Sequence, residues 1–270
     1  MNKTTAVLVS IIVVLASSFA WYAARHPDRR DESGMSADSG DGRRAEPRVL
    51  DLDAPTAGLD RLGLDVGVGE VRITGSADDQ LHVKVTLKPK EHELFGMLHW
   101  NEASREQIAG AVIKQQRQDK RLTLSLDYPH DQDNLKQEWE VQVPARLALD
   151  ADMKVGEMTI ADVAGGVDAK LDVGELSIDT PKGRIHGDVN VGEIRATSGS
   201  EKHGRIELSS SIGETVVSIG GHSVGRHEHG GLGNHVSIDG DGPDEMRLSI
   251  NIGEASLHIT PADAKDGDGK

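Results

Sequence analysis

The string Gly221-His222-Ser223-Val224-Gly225 has the G-x-S-x-G form of a serine-hydrolase nucleophile elbow. Such an elbow works on a strained strand-to-helix turn that exposes the serine hydroxyl to a downstream acid and histidine. Asp239 and His258 come after Ser223 in that order. The run Arg226-His227-Glu228-His229-Gly230-Gly231 is a poor helix start, and the alternation of strands and helices that frames such a site is missing. The string therefore reads as a glycine-rich loop joining two strands, and the chain is expected not to be an enzyme. Hydrolysis through Ser223 is the weakest of the alternatives.

Metal chemistry has three candidates. His222, His227, His229 and His235, with Glu228, carry imidazoles suited to zinc, copper or nickel, but without zincin spacing. Gly230 to His235 approaches a calcium-binding nonapeptide and occurs once; Asp239 to Asp244 begins like an EF-hand loop, but Ile250 stands where the bidentate glutamate belongs. The third candidate is Glu157, Glu175, Glu193 and Glu214. If their strands stack in register, these carboxylates lie about 5 Å apart and repel by about 1 to 3 kcal/mol per pair for effective dielectrics of 80 to 20. Solvent and splayed rotamers are the first expected relief, capping of backbone N–H groups the second, and bridging divalent cations the third. No catalytic, cofactor-binding or metal-ligating residue is assigned, and a cation-binding module stays open as an alternative.

The glutamates belong to a repeat. Six copies of an aliphatic residue followed by Gly-Glu or Gly-Asn centre on Gly156, Gly174, Gly192, Gly213, Gly233 and Gly253, in steps of 18, 18, 21, 20 and 20 residues. A period near twenty means stacked units that cannot bury their apolar faces singly. Apolar residues alternate before each glycine (Met153 and Val155, Leu171 and Val173, Val189 and Val191, Leu208 and Ile212, Leu248 and Ile252) and after it (Met158 and Ile160, Leu176 and Ile178). Strict alternation would send the second run to the opposite face, so the chain is expected to bend or bulge at every Gly-Glu. The expected fold is all-β: a β-solenoid of 18- to 21-residue coils over 151–262, preceded by a β-rich part over 48–150. An earlier copy, Leu64 to Ile73, suggests that this part extends the same fold. A helix is expected over 104–118, from the capping-box form Ser104-x-x-Gln107 and the spacing of Ile108, Ala111, Val112 and Gln115.

Residues Thr5 to Ala24 are uncharged, mostly apolar and long enough to cross a hydrocarbon layer as a helix. They read either as a signal peptide cut after Ser18-Phe19-Ala20 or as a retained transmembrane anchor with Trp21 and Tyr22 at the headgroups. Arg25, Arg29 and Arg30 pull against export of the body of the chain. Residues 25–47 are charged and lack periodicity, as a disordered tether would be, and 263–270 form a similar tail. The formal charge of −15 disfavours nucleic acid and anionic membrane surfaces as ligands. The absence of cysteine excludes disulfides and thiolate chemistry. The expected location is the cell envelope, membrane-anchored or exported. The expected partner is an unknown envelope protein or polymer, with homo-oligomers possible through open sheet edges.

An apolar N-terminal segment, strands leading to Val141-Gln142-Val143-Pro144, and successive Gly-[Glu/Asp]-hydrophobic coils together resemble a bacterial domain-of-unknown-function family labelled as adhesins. Its relatives form a "toast-rack" β-solenoid. The resemblance covers about residues 48 to 260 and lies in repeat rhythm rather than in any fixed site. It implies a fold more strongly than a function. The 104–118 helix and the His-rich stretch 222–235 depart from it.

Overall fold

The computed structural model describes residues 46–260, apart from 90–92, 95–96, 99–101, 130–134, 180, 200–202 and 224–232. The apolar segment 1–24, nearly all of the tether 25–47 and the tail 263–270 lie outside the described residues. The described part is all-β with one short helix. The elements are β1 (Arg48–Pro55), β2 (Arg61–Ser76), β3 (Gln80–Pro89), β4 (Glu93–Leu94), β5 (Met97–Leu98), α1 (Glu102–Gly110), β6 (Val112–Gln118), β7 (Arg121–Asp127) and β8 (Leu135–Pro144). Beyond these come β9 (Ala148–Ala161), β10 (Val167–Asp179), β11 (Arg184–Ser198), β12 (His203–Ile219), β13 (His222–Ser223), β14 (Asn234–Ile238) and β15 (Asp244–Ile259).

The repeat copies lie side by side as parallel strands in exact register, in the order β2-β9-β10-β11-β15-β12. Parallel neighbours ordinarily need a crossover of about a dozen residues or more. Here β9 and β10 are joined by residues 162–166 alone. The short link works because the two ends of β9 lie close together. Ala164, after β9, donates its N–H to the carbonyl of Ala145, before β9, at 2.7 Å.

The turn is built on glycine. Met153 and Met158, Leu171 and Leu176, and Val189 and Ile194 are buried at odd intervals across the corner, which strict alternation forbids. Gly156, Gly174, Gly192, Gly253 and Gly213 absorb the extra residue at φ of +140° to +146°. A Cβ on any of them would lie within 1.8 Å of the carbonyl oxygen of the glycine on the preceding strand. The bend expected at Gly-Glu is thus present, and it packs backbone directly on backbone.

Four details differ from the sequence reading. Val155, Val173, Val191, Ile252 and Ile212 do not join the inner run; they stand at the outer corner, with Val155 41% and Ile212 45% exposed. The C-terminal strand β15 is inserted between β11 and β12 instead of stacking last. Gly233 opens no further rung, because Asn234–Ile238 runs antiparallel to Ile206–Ser210. The helix spans Glu102–Gly110, and 112–118 form β6, paired antiparallel with β7. Gly110 ends the helix where a Cβ would meet the Pro129 ring at 2.4 Å, and the β-branched pair Val112-Ile113 favours the strand beyond.

At the N-terminal side the stack divides. The first half of β2 pairs with β7, which carries β6; its second half pairs with β8, which carries β3 and β1. The core is aliphatic apart from Trp139, 1% exposed, whose indole N–H donates to Gln137 Oε1 at 2.9 Å. Gln137 in turn donates its amide N–H to the Tyr128 hydroxyl.

Candidate functional site

The register places seven glutamates in one continuous row across seven adjacent strands: Glu138, Glu70, Glu157, Glu175, Glu193, Glu254 and Glu214. Adjacent strands are about 4.8 Å apart, so this is a ladder of like charges. The four glutamates anticipated from the sequence are all in it. Glu70, Glu138 and Glu254 complete it. Glu70 sits in the early copy of the phrase and Glu254 in the last, so the repeat already carried the signal; Glu138 lies in no copy.

Nearby cations relieve the repulsion at four of the seven rungs. Lys88 donates to both oxygens of Glu138 at 2.7 Å, and this contact holds the carboxyl below the usual carboxylate range although burial opposes it. Arg72 pairs with Glu70. Arg195, two residues beyond Glu193 on the same face, bridges Glu175 and Glu193, the latter at 2.7 Å. Such surface pairs are each worth about 1 kcal/mol or less. Arg195 is the device the sequence reading missed, since i and i+2 on a strand share a face. Elsewhere the row is uncompensated: among the described residues Glu157, between Glu70 and Glu175, and Glu254 and Glu214, at the β12 end, have no ion-pair partner within 4.0 Å. The Glu193 carboxyl is raised, first by burial and then by the neighbouring charge of Glu254.

On β2, β9, β10, β11, β15 and β12 the outer-corner aliphatic row stands two residues before the glutamate, and one residue further back is a mostly polar row of Gly67, Lys154, Asp172, Asn190, Asn251 and Ser211. In the polar row Asn251 donates from Nδ2 to Asn190 Oδ1 at 2.9 Å, and Ser211 Oγ lies 3.4 Å from Asn251 Oδ1. The corner therefore presents parallel aliphatic and carboxylate stripes, joined over β11, β15 and β12 by a third stripe of amides and a hydroxyl.

The remaining candidates are dispersed or occupied. Ser223 lies on β13, joined to β12 by the two-residue turn Gly220-Gly221, both at positive φ. That is a tight hairpin turn between two antiparallel strands, whereas an elbow sits on a strand-to-helix turn; residues 224–232, next in the chain, lie outside the described residues. Asp239 is taken up by Arg205 at 3.0 Å, and His258 lies on β15 two strands from Ser223. His222 and His235 pair with opposite arms of β12; His227, Glu228 and His229 lie outside the described residues. Among the described residues no group of three or more His, Asp or Glu is arranged to hold a metal ion. Of the calcium-like strings, Gly230 to Leu232 lie outside the described residues, and Asp244 Oδ1 accepts the N–H of Gly183 at 2.7 Å, tying the start of β15 to the turn before β11. An open cavity of about 560 Å³ is lined by Arg184, His186, Arg205, Glu207, Glu245 and Arg247. Its arginines are already engaged: Arg247 with Glu207 at 2.7 Å, Arg205 with Asp239, Arg184 with Glu245 at 3.6 Å.

A solved structure shares this architecture. A "putative cell adhesion protein" from Clostridium sporogenes superposes with a TM-score of 0.51 and 16% identity, covering 80% of this chain and all of that one. This chain shares the fold of that solved structure. A "putative adhesin" from Bacteroides fragilis covers 81% of this chain at 10% identity with a TM-score of 0.27. No protein-family model matches the chain, and no curated protein matches it. Among the described residues no helix is long and apolar enough to cross a membrane.

Proposed function

We propose that this chain is a non-enzymatic interaction module of the cell envelope: a β-solenoid of stacked coils, carried by the N-terminal apolar segment and offering its long corner surface to another envelope protein or polymer. The observation that carries the reading is the unbroken register of the corner stripes. Every strand of the stack repeats an outward aliphatic residue and a glutamate on either side of the corner glycine, whereas a reaction centre needs unlike groups converging on one point. Energy here is distributed along a line, as in other repeat proteins that bind through extended surfaces. The adhesin description of the Clostridium sporogenes structure agrees with this reading. The anchor is argued from the composition of 5–24 alone.

The chain contains no cysteine, which makes export directly testable. Glu140, whose side chain is 61% exposed on β8, is replaced by cysteine, and intact cells are treated with a membrane-impermeant maleimide. Labelling before lysis is the expected result. Labelling only after lysis rejects the envelope location.

A further inference from the structure

We propose that the aliphatic and carboxylate stripes together form the docking surface for a basic amphipathic helix of a partner protein. This rests on the reading of the chain as an interaction module and names the chemistry of what it binds.

The first observation is an aliphatic row with no packing reason to be aliphatic. Val68, Val155, Val173, Val191, Ile252 and Ile212 are register partners across six strands, and none belongs to the buried core. A β-branched side chain suits an extended corner, but threonine has the same shape and would keep the surface wet. It occurs at none of the six. Five interstrand steps make the row about 24 Å long.

The second observation is independent of the first: the charge beside that row is uncompensated where the row is most exposed. Glu157 stands two residues from Val155, and Glu214 two residues from Ile212. These two aliphatics are the exposed members of the row. Where Lys88, Arg72 or Arg195 already neutralises the ladder, no partner charge is required. A partner must therefore bring cations next to apolar side chains.

Spacing selects the kind of segment. Same-face residues on an extended chain recur about every 6.6 Å or more, which falls out of step with a 4.8 Å ladder after two rungs. Helical residues on one face recur about every 5.4 Å, and long lysine or arginine side chains absorb the remaining offset. A helix with adjacent basic and aliphatic stripes thus matches both rows at once. A second copy of this chain does not meet the charge requirement, because it carries the same net charge of −15 and sets the same carboxylate row beside its aliphatic row.

The test uses the full chain and a labelled 18-residue leucine-lysine peptide whose helix sets the two stripes side by side, with a scrambled peptide of the same composition as control. Fluorescence anisotropy at physiological salt is expected to show binding of the helical peptide at least about tenfold tighter than the scrambled one. Val155→Ser with Ile212→Ser is expected to weaken it about tenfold, and Glu254→Gln with Glu214→Gln by a similar factor. Neutralising elsewhere, Asp51→Asn with Glu140→Gln, is expected to change it less than about twofold. If the serine pair unfolds, Val155→Thr with Ile212→Thr keeps the shape and tests the same point. Equal binding of both peptides overturns the proposal, and so does equal loss with the control pair. Sedimentation showing self-association that Ile212→Ser abolishes overturns it in favour of a second copy. The export experiment is untouched by any of these results.

Discussion

Glu193 and Glu254 are register partners on adjacent parallel strands, although all of β12, β13 and β14 separates them in the chain. The pairing arises from the insertion of β15 between β11 and β12, and it sets a half-buried carboxylate against an unpaired one.

Glu254→Gln is therefore expected to stabilise the fold at pH 7 and low salt by about 0.5 kcal/mol, the scale of like charges directly opposed in a sheet. The Glu193 carboxyl is raised in the folded state, so the native chain favours its protonated form. The penalty on its ionised form is full above the folded-state value and gone below the ordinary value of 4.5. Urea denaturation should show the gain at pH 7 and none at about pH 3.5, below the ordinary glutamate range. A gain of the same size at both pH values would mean that charge is not its cause.

The corner glycines cannot accept a side chain. A Cβ on Gly192 would sit 1.8 Å from the Gly174 carbonyl oxygen at φ +146°, so a backbone must move. Gly192→Ala is expected to cost about 3 kcal/mol or more, at the upper end of ordinary substitutions. Gly199→Ala, with nothing within 4 Å of the new methyl, is the control and is expected to fall within about 0.5 kcal/mol of the parent. Equal urea midpoints for the two variants would contradict the backbone packing described.

Tyr128 is pushed up to about 12 by burial, and its hydroxyl accepts the amide N–H of Gln137. Its protonated form is favoured in the folded chain, so this contribution is complete below the ordinary value of 10.0 and is lost as pH rises toward about 12. Ultraviolet titration at 295 nm should show Tyr128 ionising only together with loss of folded circular dichroism. Tyr128→Phe strands the Gln137 amide, itself 4% exposed, and is expected to cost about 1 to 2 kcal/mol. Ionisation near pH 10 in the folded chain that Tyr128→Phe removes, leaving only the Tyr22 step, would show the ring to be solvated.

Much of this architecture was legible because the corner repeats its constraint. Each glycine must lie against the next, the residue two positions after it is buried and apolar on every strand of the stack but β12, and both constraints leave a visible period. The order of the rungs was not legible, since β15 and β12 carry the same phrase and either fits beside β11. Gly233 imitates the phrase for a related reason: a Cβ there would lie 2.4 Å from the Ser210 carbonyl, so a hairpin edge also demanded glycine. The outer position of Val155 and its partners was hidden because alternation before the corner assigns them inward, and only the odd interval from Met153 to Met158 places them outside. Arg195 was legible in principle from its place two residues after Glu193.

The end of the stack retains one imperfection that the repeat itself identifies. The first inward residue after the corner is Val71, Met158, Leu176, Ile194, Ala255 or Thr215, in register and fully buried in every strand. Five are apolar. Thr215 alone brings a hydroxyl, and its Oγ1 is buried with no hydrogen-bond partner. An unpaired hydroxyl in such a place costs about 1 to 3 kcal/mol, whereas valine has nearly the same shape and no polar group to strand. Thr215→Val is accordingly expected to raise stability by about 1 kcal/mol and to leave the urea m-value unchanged, because the surface exposed on unfolding stays the same. Ala255→Ser, placing a hydroxyl in the same row on the adjacent strand, should move stability the other way. If Thr215→Val is neutral while Ala255→Ser destabilises, the threonine hydroxyl is satisfied in solution and the end of the stack is wetter than its packing indicates.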